Sequence, residues 1–280
     1  MNRITIRLLA AAVVAPVLGL VLARALAAQR LRRDVRQLFA AAGHGPTVFY
    51  HETQLHGLPA PVQRYFKHVL PEGQPYLRGL RLRHSGQFKT DLKKDWIAIA
   101  GEQYITANPA AFIWQGTTRW FIVRDEYVAG RASLTVRLLG AVPIVRGAGP
   151  PYDQGELLRW LCESAWLPTN LLPSQHLSWT AVDEQSARLT FTHQGQSVTC
   201  LVRFNEQDEI GACATQRYMD GATQLPWLGR FAQYRRWHGV LIPTLAEASW
   251  VVDGQRQPYA RFTVEELDYD QMQPFRSPGL

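Results

Sequence analysis

From Leu80 onward the chain repeats its apolar residues at every second position, and this alternation restricts the fold more than any other feature. Leu80 and Leu82 alternate with Arg81 and Arg83. Phe112, Trp114, Thr118 and Trp120 alternate with Gln115, Thr117 and Arg119, and Ala132, Leu134, Val136 and Leu138 with Ser133, Thr135 and Arg137. Side chains of a strand point to opposite faces in turn, so these stretches predict strands with one wet face. Further strands are expected over Leu177–Val182, Ala187–His193, Val198–Phe204, Ile210–Tyr218, Val240–Val252 and Tyr259–Asp268. Asp183-Glu184, Gln194-Gly195, Asn205 to Asp208 and Asp253-Gly254 separate them, as tight turns require.

Two stretches change to helical spacing. Between Pro59 and Leu70, Val62, Tyr65, Phe66, Val69 and Leu70 form one buried stripe. A second helix is expected to start at Asp153, with Glu156 completing a capping box, and to end near Pro168. Its apolar side is Leu157, Leu158, Leu161 and Ala165, widened by Trp160 and Trp166. Gly140 to Pro151 reads as a Pro- and Gly-rich loop.

The N-terminus is different in kind. Leu8 to Ala23 carries no charge, and Ala25 to Ala28 extends the run past Arg24, giving enough length for one tilted membrane span. Its rival is a cleaved signal segment, with Arg3 and Arg7 as the basic region and Ala25-Leu26-Ala27 as the cleavage site. The length of the run and the arginines from Arg24 onward favour an uncleaved anchor. Gln29 to Ala42 continues as a basic stalk until Gly43-His44-Gly45-Pro46 breaks it. Of the net charge of +7, six units lie in residues 1–40, which hold seven arginines against Asp34 alone. The remaining 240 residues are nearly balanced. A nucleic-acid partner is therefore not expected, because no phosphate-tracking face is evident.

Several chemistries lose their support on inspection of motifs. The chain has no phosphate-cradling loop, dinucleotide fingerprint or nucleophile elbow, so no cofactor is assigned. His51-Glu52 with His56 misses the zinc-protease spacing by one residue, and no metal set is assigned. Acid/base candidates are His84, Glu156 and Glu163. Against them stand a hydrogen-bonded core histidine and ordinary helical ion pairs of Glu156 and Glu163 with Arg159. Cys162 reads as a small buried apolar residue. If Asn205 to Asp208 form a four-residue loop, Cys200 lies opposite Cys213, within disulfide range.

Leu58-Pro59 with Val62 and Arg64-Tyr65-Phe66, then Gly155-Glu156-Leu157-Leu158-Arg159-Trp160-Leu161 with Glu163 and Trp166-x-Pro168-Thr169, carry a resemblance. Ser186-Ala187-Arg188, and Tyr234 with Gly239 and Ile242-Pro243, extend it. On these residues the chain resembles a bacterial family of membrane-anchored proteins of unknown function, which implies no catalytic residues. More distantly, its order of elements is similar to the LolA-like lipoprotein-carrier fold. That similarity implies an incomplete antiparallel barrel whose concave face holds acyl chains.

The expectation is an α+β, mainly antiparallel β protein. A curved sheet or incomplete barrel holds a helix in its concavity and follows an N-terminal transmembrane helix. Residues 1–28 form the anchor or signal segment, 29–57 the stalk and linker, and 58–280 one β-rich domain. The expected location is the inner membrane, single-pass. The arginine flank favours a cytoplasmic domain and the resemblance an exported one, with the periplasmic face preferred. Nine tryptophans suggest a site for a lipid or other hydrophobic molecule. Trp114, Trp120, Trp160 and Trp166 are the expected lining, and Arg230 or Arg235 the partner of an anionic headgroup. The alternatives are an enzyme acting on a lipid or envelope component, and an envelope scaffold.

Overall fold

The computed structural model describes residues 3–43, 47–219 and 221–276, with side chains from residue 19 onward. The period-two segments become thirteen strands: β1 (Gly79–Phe88), β2 (Ile97–Thr106), β3 (Ala111–Thr117), β4 (Phe121–Val128), β5 (Arg131–Leu138), β6 (Val142–Ala148), β7 (Leu177–Asp183), β8 (Ser186–His193), β9 (Gln196–Phe204), β10 (Ile210–Tyr218), β11 (Gln224–Trp237), β12 (Val240–Val252) and β13 (Gln255–Tyr269). All pair antiparallel in a single sheet of order β6-β5-β4-β3-β2-β1-β13-β12-β11-β10-β9-β8-β7. Every neighbour is consecutive in sequence except β1 and β13, whose pairing, Leu80 opposite Tyr269 for one, joins two meanders. The edge strands β6 and β7 are linked through a helix, α3 (Pro150–Glu163).

The position of α3 reveals the curvature. It packs against β4, β5 and β6 from one meander and against β9 and β10 from the other, so the sheet wraps around it. A second helix, α2 (Ala60–Val69), lies against β8 and β12 and sinks Val62, Tyr65, Phe66 and Val69 into the same core.

The outer face carries the first helix, α1 (Arg3–Ala41). Leu31, Val35, Leu38 and Phe39 recur at helical spacing and pack on Tyr104, Ala111, Ile113 and Phe275. Asp34 adds an ion pair to Arg124 at 2.9 Å. The segment that follows the apolar run is thus docked on the sheet over its C-terminal turns. The run from Leu8 to Ala23 lies mostly outside the residues whose side chains are described, as do His44, Gly45 and Pro46. Among the described residues no helix is long and apolar enough to cross a membrane.

Several local expectations change. The helix near Asp153 starts one turn earlier, because Pro150 and Pro151 suit the first helical positions, where no N–H is needed. Asp153 is no cap: it accepts the Ala132 N–H at 2.6 Å and pairs with Arg131 at 3.2 Å. The expected strand through Trp120 stops at Thr117. Thr118 Oγ1 accepts the N–H groups of Trp120 and Phe121, and the chain turns back into β4. The Pro- and Gly-rich stretch contains β6.

Candidate functional site

Along α3, Tyr152, Gly155, Glu156, Arg159 and Glu163 share one side of the helix. The apolar side, with Leu157, Leu158 and Leu161, enters the core. Between the polar side and the inner face of the sheet lies a cavity of about 520 Å³. Trp114, Phe121, Val123, Leu134 and Val136 wall it from one meander, and Trp227, Trp250, Tyr259 and Phe262 from the other. Trp227 and Trp250 are direct cross-strand partners. Ile144 and Val145 of the edge strand β6, both exposed to solvent, form part of its rim.

The cavity stays open because its rings lie down. An added Cβ on Gly116 would meet the Trp114 ring at 2.5 Å, and one on Gly229 the Trp227 ring at 2.8 Å. Each indole therefore occupies the place of the side chain two residues further along its own strand.

Seven charged side chains line this apolar space, and besides Lys89 and Asp91 five of them form one group. Arg159 reaches Asp125 at 2.9 Å, Glu163 at 2.8 Å and Glu156 at 3.9 Å, and Arg217 reaches Glu156 at 3.3 Å. Arg159 also lies 5.0 Å over the rings of Phe112 and Trp114, and Arg217 5.0 Å over Trp227. Burial works against the Arg159 charge, but Glu163, Asp125 and Glu156 outweigh it and raise its pKa. Burial, then the charge of Glu156, push Asp125 up to about 7, against the pull of both guanidiniums. Two atoms in the group lack a hydrogen-bond partner, Glu156 Oε2 and Arg217 Nε.

The structure sorts the expected site residues. Trp114 lines the cavity, and its Nε1–H donates to His84 Nε2 at 2.8 Å. His84 is buried behind it against Phe262, with ring centroids 4.2 Å apart. Burial, and secondarily Arg159, hold its pKa down at about 3, so the ring is neutral. Glu156 and Glu163 come together through Arg159, and their spacing makes buried pairs in place of surface ones. Trp120 does not join the wall: it sits on the β3–β4 turn, 57% exposed. Trp160 turns aside to stack on Phe191 and donates to Thr106 O at 3.0 Å. Trp166 donates to Pro243 O at 2.9 Å within the core. Arg230 and Arg235 are exposed and away from the cavity.

The cysteines also depart from expectation. Cys213 lies opposite Val202 and not Cys200, because Asn205 pairs with Glu209 and a bulge between Ile210 and Ala212 shifts the register. All three cysteines are free and buried. Cys162, Cys200 and Cys213 nevertheless converge, with Sγ atoms within 4.8 Å of one another. Hydrogen bonding with Cys200 and Cys213 lowers the Cys162 pKa.

Sequence reading missed Asp125, Arg217, Trp227 and Trp250. Asp125 had a signal, since it interrupts the inward set Phe121, Val123 and Tyr127. Arg217 occupies the inward phase of Cys213 on β10. Two further hollows exist. One of about 390 Å³ lies under α1, and one of about 570 Å³ lies beside Gln154 and Leu158. Neither combines an aromatic wall with a buried charge cluster.

A model of a family of unknown function, DUF6544, matches residues 48–262. Among curated proteins none matches the sequence. Solved structures with slight similarity to this chain include a DUF1329 family protein from Desulfovibrio piger, at 8% identity and TM-score 0.41, covering 75% of this chain and 91% of that one. Another is a LolA superfamily protein from Nitrosomonas europaea, at 11% identity and TM-score 0.35, covering 75% and 93%. Likeness this slight carries no argument, and the chemistry of the cavity rests on its own residues.

Proposed function

The chain belongs to the DUF6544 family of unknown function, and we propose that it is a membrane-tethered binding protein for a lipid or other hydrophobic molecule. One observation carries this reading: a cavity of about 520 Å³ remains open among large aromatic side chains. That size lies within the roughly 300–1,000 Å³ of small-molecule sites. A guest would gain about 0.8 kcal/mol for each CH₂ withdrawn from water, with no chemistry required. The apolar rim of Ile144 and Val145 suits an entering chain. Gly140, in the turn before β6, lies against Arg24 at the end of the apolar run, which supports a mouth near the membrane.

Native mass spectrometry of gently extracted full-length protein tests the reading. The expected result is a retained hydrophobic molecule that is lost on filling the cavity by Ala248→Phe. Absence of any retained molecule, with no uptake of an apolar dye, would remove it. The apolar segment supports a single-pass inner-membrane tether. Alkaline-phosphatase and fluorescent-protein fusions to the C-terminus report the side on which the domain lies.

A second reading, an enzyme acting on a lipid or envelope component, is favoured by Asp125. A carboxyl group pushed up to about 7 beside Glu156 and Glu163 suits proton transfer near neutrality. His84 has no place in it, because its ring is committed to Trp114 behind the wall. Turnover of envelope lipids that Asp125→Asn abolishes while binding persists would favour the enzyme.

A further inference from the structure

The charge cluster says which end group an apolar guest should carry. Resting on the binding reading above, we infer that the preferred ligand is an amphiphile with a protonated amine head seated among Asp125, Glu156 and Glu163.

Three carboxylates meet two guanidiniums in this group, so full ionisation leaves one negative charge in surplus. Arg159 pairs with all three acids, whereas Arg217 pairs with Glu156 and pulls on Asp125 from farther off. A carboxylate or phosphate head would add a second surplus charge inside an aromatic-walled space, where an unpaired charge is poorly tolerated. An ammonium head restores the balance. It also supplies what the cluster lacks, since Glu156 Oε2 has no donor. Arg217 is 8% exposed, and its Nε–H lacks an acceptor, which an oxygen next to the amine would provide. Asp125 fits the same account. Its carboxyl holds its proton up to about 7 because burial disfavours its charge and Glu156 adds to that, and a neighbouring cation offsets both. The exposed arginines Arg230 and Arg235 are then not needed for a headgroup.

Full-length protein in lipid nanodiscs, titrated at pH 8 with decylamine, decanol and decanoate and followed by tryptophan fluorescence, separates the possibilities. Decylamine should bind about tenfold more tightly than decanol, and decanoate more weakly than either. Asp125→Asn should reduce the ratio by which the amine is preferred over decanol. The ranking among ligands of the unaltered protein stands even if the variant does not fold. Decanol or decanoate equalling decylamine would overturn the amine head and leave the apolar cavity as a binding site. If none of the three binds, the binding reading itself falls.

Discussion

At the scale of single residues, His84 and Asp125 sit on opposite sides of one balance. Between about pH 4 and pH 7 the folded chain keeps on Asp125 a proton that the unfolded chain has released, since its pKa rises from 3.8 to about 7. That group's contribution to stability therefore falls as pH rises through this window. His84 is depressed from 6.5 to about 3, so its contribution is complete above 6.5 and is lost as pH falls toward 3. The two slopes oppose each other in the native chain. Relative to it, Asp125→Asn should gain melting temperature as pH rises from 4 to 7, and His84→Gln should lose it. Thermal scans across that range check both, and variants whose curves merely parallel the native one would contradict the assignment. Gly116 gives a second prediction. Gly116→Val should force the Trp114 indole off the strand and into the cavity, costing about 1–3 kcal/mol as overpacking does. Any bound guest should be displaced, which denaturant titration and native mass spectrometry together report.

At the scale of elements, α3 does two jobs through two sides. Its apolar side belongs to the core and its polar side to the cavity, so the helix is buried over most of its girth. The sequence shows the apolar side plainly, through Leu157, Leu158 and Leu161. The polar side is ambiguous there, because Glu156, Arg159 and Glu163 have the spacing of any solvated helical face. What decides is the partner, Asp125, about thirty residues away on β4. Strands with clean alternation are legible in the same way, and Val240–Val252 is found with the expected limits. The turn at Thr118 and the strand Val142–Ala148 are not, since a hydroxyl that captures two N–H groups looks like one more residue of an alternating run. The bulge at Gly211 is equally silent, and it is what moves Cys213 away from Cys200. The docking of α1 is testable at this scale. Leu38→Ala should weaken the seat of the helix on Tyr104 and Ile113 by about 2–5 kcal/mol. The expected sign is faster tryptic cleavage at Arg32, Arg33 and Arg36, with the sheet's hydrogen exchange little altered.

At the scale of the whole molecule, two meanders share one seam and one bridge. The seam is β1 against β13, and the bridge is the segment from β6 through α3 to β7. Each half forms its own ladders from sequential hairpins, which are local contacts. A chain divided at Gly149 should therefore reassemble when residues 1–148 and 149–280 are produced together. Co-purification of the two pieces with native-like near-ultraviolet dichroism is the measurement, and fragments that are recovered only apart would count against such independence. The arrangement has one more outcome. Among the described residues no ladder joins β6 to β7, and the two meanders meet on that side through Tyr127 Oη and His193 Nδ1, 3.0 Å apart, so a thicker occupant would part these edges like the lips of a purse at the cost of that contact. Every backbone ladder would survive that widening, a latitude that a fully closed cylinder of the same strands would lack.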